Sequence, residues 1–107
     1  MIYLASQSPR RQELLTQLGV QFDVVDVSVF EQRQNLELPL DYVSRVAREK
    51  AGLGLLQLQG NSQAIVLGAD TDVVLHDMVF GKPDTDEQAI QMLKQLSGST
   101  HEVITAV

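Results

Sequence analysis

The sequence contains no cysteine and few basic residues. The lack of cysteine excludes a disulfide framework, a thiolate metal site and a cysteine nucleophile. No apolar run approaches the roughly 18 residues that a membrane-spanning helix needs, and the N-terminus lacks the layout of a signal peptide. We therefore expect a cytoplasmic protein that has no membrane partner.

Acidic residues outnumber basic ones, 14 Asp and Glu against 8 Lys and Arg, which gives a formal net charge of -6. A protein that binds nucleic acid regardless of its sequence needs many cations to neutralise phosphates. The acidic balance therefore disfavours a nucleic-acid polymer as partner. A small phosphorylated ligand stays open, because a few well-placed cations in one pocket are enough to hold it. The P-loop and Rossmann glycine patterns do not occur, which disfavours a P-loop NTPase and a dinucleotide-binding domain.

A length of 107 residues with 44% hydrophobic content fits one domain with a core of its own. Apolar runs predict strands at residues 2–5, 22–29, 64–67 and 101–107, and a hairpin whose strands are residues 73–75 and 78–80. Helical spacing and capping signals predict helices at residues 10–18, from Pro39 onward and at residues 84–96. These elements predict an α/β fold, a mixed sheet flanked by helices.

Two of these helices carry apolar stripes that we expect to face the core: Leu14, Leu15 and Leu18 in the first helix, and Ala89, Ile90, Leu93 and Leu96 in the third. Gly52 and Gly54 are expected to weaken the end of the second helix. The chain ends on an apolar strand without a polar tail, which is typical of a domain cut partway through, since termini are usually solvated. An exposed terminal strand is an adhesive edge, so we also expect a homodimer.

The first candidate site is the predicted strand-to-helix junction at residues 6–11. A helix N-terminus favours anions, both through its dipole and through the unpaired N–H groups of its first turn. Arg10 and Arg11 oppose that dipole, and a bound phosphate would remove the conflict and give both guanidinium groups a bidentate partner. Alternatively, the arginines point into solvent or pair with Glu13.

The second candidate site follows the predicted strand at residues 64–67. Ligands of open α/β sheets tend to bind at the carboxyl ends of strands, and Asp70 lies at such an end. An aspartate there can hold a divalent cation, orient a water molecule or accept its proton. Alternatively, Asp70 caps a turn. Asp72, two residues further on, either shares the role of Asp70 or points outward.

Three further charged residues are candidates on weaker grounds. Lys82, in a rigid Gly-Lys-Pro loop, either meets a phosphate as a point charge or stays solvated. Lys50 lies near the end of the second helix, where the dipole already favours a cation. Glu31 can supply a second carboxylate to a metal, although nothing in its local sequence singles it out.

Four sequence blocks stand in order along nearly the whole chain: residues 4–15 (LASQSPRRQELL), 42–51 (YVSRVAREKA), 67–71 (LGADT) with 81–83 (GKP), and 92–98 (MLKQLSG) with His101. Together they resemble the Maf family of nucleoside triphosphate pyrophosphatases. Four ordered blocks are far more specific than any one of them. Within that family, the sequence looks closest to the branch that acts on dTTP and UTP.

The resemblance implies a Maf/ITPase-like fold and the hydrolysis of a nucleoside triphosphate to the monophosphate and pyrophosphate, with Mg²⁺ or Mn²⁺ as cofactor. It implies that Asp70 accepts the proton of the attacking water, with Glu31 and Asp70 near the metal. It also implies substrate contacts from six residues: Ser6, Arg10, Lys50 and Lys82 at the phosphates, and Arg11 and Thr71 at the base. The hypothesis requires these cations and Asp70 to converge on one cleft.

The sequence departs from the family pattern in ways that matter for function. Asp72 occupies a position where the family usually has an aliphatic residue. Family members are also much longer, so residues 1–107 would be the N-terminal portion of a single Maf-like domain. The alternative function is therefore a non-catalytic truncated module that binds a nucleotide or a protein partner and is linked to septum formation.

Overall fold

The computed structural model describes all residues from Met1 to Val107. Nine elements follow one another: β1 (Ile2–Ala5), α1 (Pro9–Gln17), β2 (Phe22–Val25), α2 (Pro39–Gln57), β3 (Ile65–Gly68), β4 (Asp70–Leu75), β5 (Met78–Phe80), α3 (Asp86–Leu96) and β6 (Glu102–Ala106). The α/β class predicted from the sequence is confirmed. None of the three helices is both long enough and apolar enough to span a membrane.

The strands form two three-stranded sheets. In the first sheet β1 lies between β2 and β3, and both pairings are parallel. In the second sheet β4 lies between β5 and β6, and both pairings are antiparallel. Only Ala69 separates β3 from β4, so the chain passes from one sheet to the other in a single residue. The carboxyl ends of β1 and β3 therefore lie beside the start of β4.

Helix α2 packs against both sheets, with contacts to β1 and β3 on one side and to β4 and β6 on the other. Val43 and Val46 of α2 are completely buried and contact apolar side chains of β5 and β6. A second apolar cluster joins Ala5 to Val25 and Val27 on the first sheet. Because α2 contacts every strand that borders the junction of the sheets, it fixes the relative position of the two sheet edges.

The structure corrects the predicted end of β2 and the expected weakening of α2 at its glycines. Strand β2 ends at Val25 rather than at residue 29, and Val27 instead packs its side chain against Ala5 and Val25. Helix α2 continues through both of its glycines to Gln57. At Gly54 a Cβ would lie 2.9 Å from Val66 Cγ1 and 3.0 Å from Ala5 Cβ. Glycine there lets the helix approach the sheet closely, so it supports the packing of α2 instead of ending the helix.

The hairpin between β4 and β5 is confirmed. His76 and Asp77 connect its strands with positive φ angles of 48° and 64°, which is the backbone of a type I′ turn. Strand β4, however, begins at Asp70 and not at Val73, because Asp70 pairs with Ala106 of β6. The alternative in which Asp70 caps a turn is therefore wrong, since Asp70 is the first residue of a strand.

The expected inward stripes of α1 and α3 are wrong, since neither helix contains a buried residue. Leu18 keeps 76% of its surface exposed and Leu93 keeps 66%. The apolar faces exist as the sequence indicates, but they stay half-buried or exposed.

Candidate active site

The eight residues singled out in the sequence lie around one concave region at the carboxyl ends of β1 and β3. A cleft of about 490 Å³ is lined by seven of them: Arg10, Arg11, Glu31, Lys50, Asp70, Thr71 and Lys82. A smaller pocket of about 230 Å³ adjoins it, contains Ser6 and shares four of these side chains with the cleft. The cleft volume falls within the range of about 300–1,000 Å³ that is typical of small-molecule sites.

The strand-to-helix junction forms one wall of the cleft. Ser8 caps α1 by accepting a hydrogen bond from the Arg11 backbone N–H, and Pro9 occupies the first turn. The Ser6 hydroxyl accepts a hydrogen bond from the Ser8 backbone N–H at 3.0 Å. The first turn of α1 contains no acidic residue. The positive end of the helix dipole therefore faces the cleft without a carboxylate of its own turn to neutralise it.

The two arginines of this turn have different environments. Arg11 reaches across the cleft, with Nη1 3.4 Å from Ser6 Oγ and Nη2 3.2 Å from Thr71 Oγ1. Arg10 is exposed and pairs with Glu13 at 3.4 Å, which matches the alternative interpretation given above. Arg11 thus links α1 to the start of β4, whereas Arg10 lies at the outer rim.

Lys50 lies between two carboxylates of the cleft, those of Glu31 and Asp70. Its Nζ is 2.9 Å from Glu31 Oε1, 3.3 Å from Asp70 Oδ1 and 3.4 Å from the Ala69 carbonyl oxygen. Its side chain is only 15% exposed. Because α2 continues to Gln57, Lys50 is two turns away from the C-terminal end of the helix, where a dipole effect would be felt. Its contacts instead come from two carboxylates that belong to separate segments.

Asp70 and Asp72 are both buried at the start of β4. The Oδ2 atom of each has no hydrogen-bond partner. Burial, followed by the neighbouring Asp70 carboxyl, raises the pKa of Asp72 to about 7. Of the two interpretations of Asp72, the structure therefore excludes the outward-pointing one. The signal was present in the sequence, since residues two apart in a strand share a face.

Lys82 follows β5 and lines both the cleft and the adjoining pocket. It forms no ion pair with any carboxylate, in contrast to Lys50 and Arg10. Its ammonium group is therefore free to meet an anion that enters the cleft.

A divalent cation fits part of this arrangement. No three His, Asp or Glu side chains come close enough together to enclose an ion by themselves. Mg²⁺, however, usually binds through one or two carboxylates and keeps water or substrate phosphate in its other positions. Asp70 meets that requirement, because Lys50 contacts only its Oδ1 and leaves the buried Oδ2 without a partner. Glu31, on the other side of Lys50, is the second carboxylate of the cleft named by the sequence analysis.

Known proteins resemble this chain over its whole length. It is 56% identical over 108 residues to a dTTP/UTP pyrophosphatase of Xanthomonas axonopodis pv. citri, and 51% identical over 107 residues to a nucleoside triphosphate pyrophosphatase of Xylella fastidiosa. Both alignments cover all of this chain and 57% of the relative. The chain therefore spans just over half the length of these curated relatives.

The protein family described as Maf-like protein matches residues 1–107 without a gap at either end. That range contains all four sequence blocks quoted above and every residue of the charged cleft. The chain belongs to the Maf family.

Proposed function

We propose that this chain carries the reaction centre of a nucleoside triphosphate pyrophosphatase that hydrolyses dTTP and UTP to the monophosphate and pyrophosphate. One observation carries the proposal: Arg11 of α1, Lys50 of α2 and Lys82 of the loop after β5 line the same cleft as the buried carboxylate of Asp70. The relatives named dTTP/UTP pyrophosphatase support the substrate class. This class implies the cytoplasm as compartment, because nucleoside triphosphates are made and used there.

The basic residues would hold the polyphosphate. A triphosphate carries several negative charges, and the cleft offers the guanidinium group of Arg10, the ammonium groups of Lys50 and Lys82, and the positive end of the α1 dipole. Ser6 adds a hydroxyl at the same helix end. Such fixed charges also stabilise the negative charge that develops on the phosphoryl oxygens in the transition state. We therefore assign phosphate binding to Ser6, Arg10, Lys50 and Lys82.

Asp70 would activate the water. In this step the oxygen of a water molecule attacks the α-phosphorus of the nucleotide while Asp70 accepts the proton of that water. The bond between the α-phosphorus and the oxygen bridging to the β-phosphorus breaks, and pyrophosphate leaves with that oxygen. Lys50 contacts Asp70 through Oδ1, so it orients the carboxylate. A bound Mg²⁺ or Mn²⁺ would supply charge neutralisation at the phosphates.

Arg11 and Thr71 would contact the base. Their side chains hydrogen-bond to each other at 3.2 Å, and Thr71 also bonds to Thr105 at 3.0 Å. The three side chains form a connected row of donors and acceptors that lines the cleft. A pyrimidine presents a carbonyl acceptor and an N–H donor on its edge, and this row can match both. We therefore assign base recognition to Arg11 and Thr71.

The test is release of pyrophosphate from dTTP and UTP in the presence of Mg²⁺ or Mn²⁺. We expect Asp70→Asn to lower kcat by about 10²–10⁴-fold, because it removes the proton acceptor while keeping the side-chain shape. Asp77→Asn is the matched control, since Asp77 lies on the exposed hairpin turn and asparagine tolerates its backbone conformation. Undiminished turnover in Asp70→Asn, with an unchanged melting temperature, would reject Asp70 as the base.

A non-catalytic function is the second candidate, because the cations and hydroxyls that line the cleft can also bind a phosphate without cleaving it. In that case the cleft would bind nucleotide without cleaving it, as a binding module in the process of septum formation. Calorimetric titration with dTTP distinguishes the two. Binding without any pyrophosphate release, in the wild-type chain with either metal, identifies a binding module.

A further inference from the structure

We propose that Asp72 is a second carboxylate ligand of a divalent-cation site that it shares with Asp70 at the start of β4. The inference rests on the proposed function, because the cation would bind together with the phosphates in the same cleft. It adds a residue to which the family resemblance gives no role.

The geometry brings the two carboxylates together. Asp70 and Asp72 are alternate residues of one strand, so their side chains leave the same face of β4. Both line the large cleft, and their partners across the sheet are Ala106 and Ile104 of β6. Apolar partners offer no donor to a carboxylate. The two acidic side chains therefore point into the cleft without a polar neighbour on β6.

One carboxylate oxygen of each aspartate is buried without a partner. Asp70 and Asp72 are more than nine-tenths buried, at 5% and 9% exposure. The Oδ2 atom of each accepts no hydrogen bond. Buried acceptors almost always have a partner, and unsatisfied ones need an explanation. A hard divalent cation, which binds carboxylate oxygens, is the ligand whose chemistry satisfies both.

The charge of the cluster matches such an ion. Lys50 is the one ammonium group in contact with Glu31 and Asp70, and it reaches Asp70 through Oδ1 only. When ionised, the carboxylates of Glu31, Asp70 and Asp72 with this ammonium leave a formal charge of -2. A divalent cation held by Asp70 and Asp72 would neutralise that charge. It would also screen the repulsion between the two aspartates.

Direct binding of Mn²⁺ alone to the full 107-residue chain tests the inference without recourse to activity. The paramagnetic resonance signal of free Mn²⁺ gives the dissociation constant. We expect Asp72→Asn to raise this constant at least about tenfold, the scale on which loss of a supporting group already weakens metal sites. Asp77→Asn should leave it unchanged. An unchanged dissociation constant in Asp72→Asn, or no saturable binding in the wild-type chain, overturns the inference.

A second measurement does not depend on the folding of a variant. In the nuclear magnetic resonance spectrum of the wild-type chain, substoichiometric Mn²⁺ should broaden the backbone signals of residues 70–72 first. Broadening that begins elsewhere contradicts the site. The proposed function fails separately: Asp72-dependent Mn²⁺ binding without pyrophosphate release rejects the activity and keeps the site. Pyrophosphate release together with Mn²⁺ binding that is unchanged in Asp72→Asn keeps the activity and rejects the site.

Discussion

At the residue scale, Glu37 fixes the long connection between β2 and α2. Its carboxylate accepts hydrogen bonds from Arg45 Nε at 2.7 Å and Arg45 Nη2 at 3.0 Å, and from the Gln34 backbone N–H at 3.0 Å. Arg45 also donates to the Gln32 carbonyl oxygen. Because Glu31 precedes this anchored stretch directly, the Glu37–Arg45 pair helps to hold Glu31 next to Lys50.

The same pair predicts a specific dependence of stability on pH. Hydrogen bonds from Arg45 lower the pKa of Glu37 from 4.5 to about 2. Since the pKa is lower in the folded state, the pair stabilises the fold fully above about pH 5, and this contribution disappears as the pH falls from 4.5 toward 2. We expect Glu37→Gln to melt below the wild type at pH 7 and close to it at pH 2.5. Thermal unfolding followed by circular dichroism across this range measures the difference.

Glu13→Gln provides the control for this prediction. Glu13 forms only an exposed ion pair with Arg10, so its replacement should change the melting temperature little at any pH. A Glu37→Gln variant whose melting temperature runs parallel to that of the wild type from pH 7 to pH 2.5 would contradict the assigned cause.

At the scale of elements, the approach of α2 to β3 depends on a glycine. A Cβ on Gly68 would lie 2.6 Å from the backbone nitrogen of Ala51 and 2.9 Å from its Cβ, and would also meet the Ala47 carbonyl oxygen. These atoms belong mostly to the helix backbone, which cannot rotate away. The helix and the strand can therefore pack at this distance only with glycine at residue 68.

Two alanine substitutions test this packing. We expect Gly68→Ala to reduce the free energy of unfolding by about 1–3 kcal/mol, because α2 must move away from the sheet. Gly52 lies in α2, and a Cβ at this position has nothing within 4 Å. Gly52→Ala should therefore increase stability by about 0.5–1 kcal/mol. Urea unfolding of both variants measures the two changes. Equal effects of the two substitutions would show that the close approach is unimportant.

Some features of the helices and strands could be predicted from the sequence, and others could not. The hairpin turn at His76 and Asp77 and the Ser8 cap were predictable because their signals are local. The strand limit at Val25 and the length of α2 were not, because Val27 and Gly54 serve contacts with distant residues. The stripe containing Leu93 shows which face of α3 is apolar, but periodicity does not show whether another element covers that face.

The candidate site likewise contains features that local sequence predicts and features that depend on long-range packing. Asp70 could be predicted as a candidate carboxylate from its place at the end of an apolar run alone. The contact of Lys50 with Asp70, and the path of Arg11 to Thr71, depend on how α2 and α1 pack on the sheets. Family resemblance grouped these residues, whereas residue spacing alone left each of them with an alternative.

At the scale of the whole molecule, the chain is more open than its mass suggests. Its accessible surface is 7507 Å², against about 5,900 Å² for a folded monomer of 11.8 kDa. Its radius of gyration is 15.6 Å, against about 13 Å for a compact domain of this length. The excess includes the apolar faces of α1 and α3. Exposed apolar surface on this scale favours association.

We therefore expect the chain to self-associate as its concentration rises. Leu93→Glu should weaken this association, since Leu93 is 66% exposed and lies one turn from Ile90 on the same face of α3. The melting temperature of dilute protein should stay nearly the same, because the substitution is on the surface. Sedimentation velocity over a range of concentrations measures the shift. Gln91→Glu adds the same charge to a polar position of α3 and should not change association.

The position of β1 has a consequence for biosynthesis. β1 leaves the ribosome before both of its neighbours, yet it is the middle strand of the parallel sheet. Its register with β3 is complete only when Gly68 has been added, about 60 residues later. At the usual rate of translation, roughly 5–20 residues per second, the edge of β1 that pairs with β3 stays unpaired for about 3–12 seconds. During that interval this edge of β1 exposes unpaired backbone N–H and C=O groups, to which another extended segment can pair.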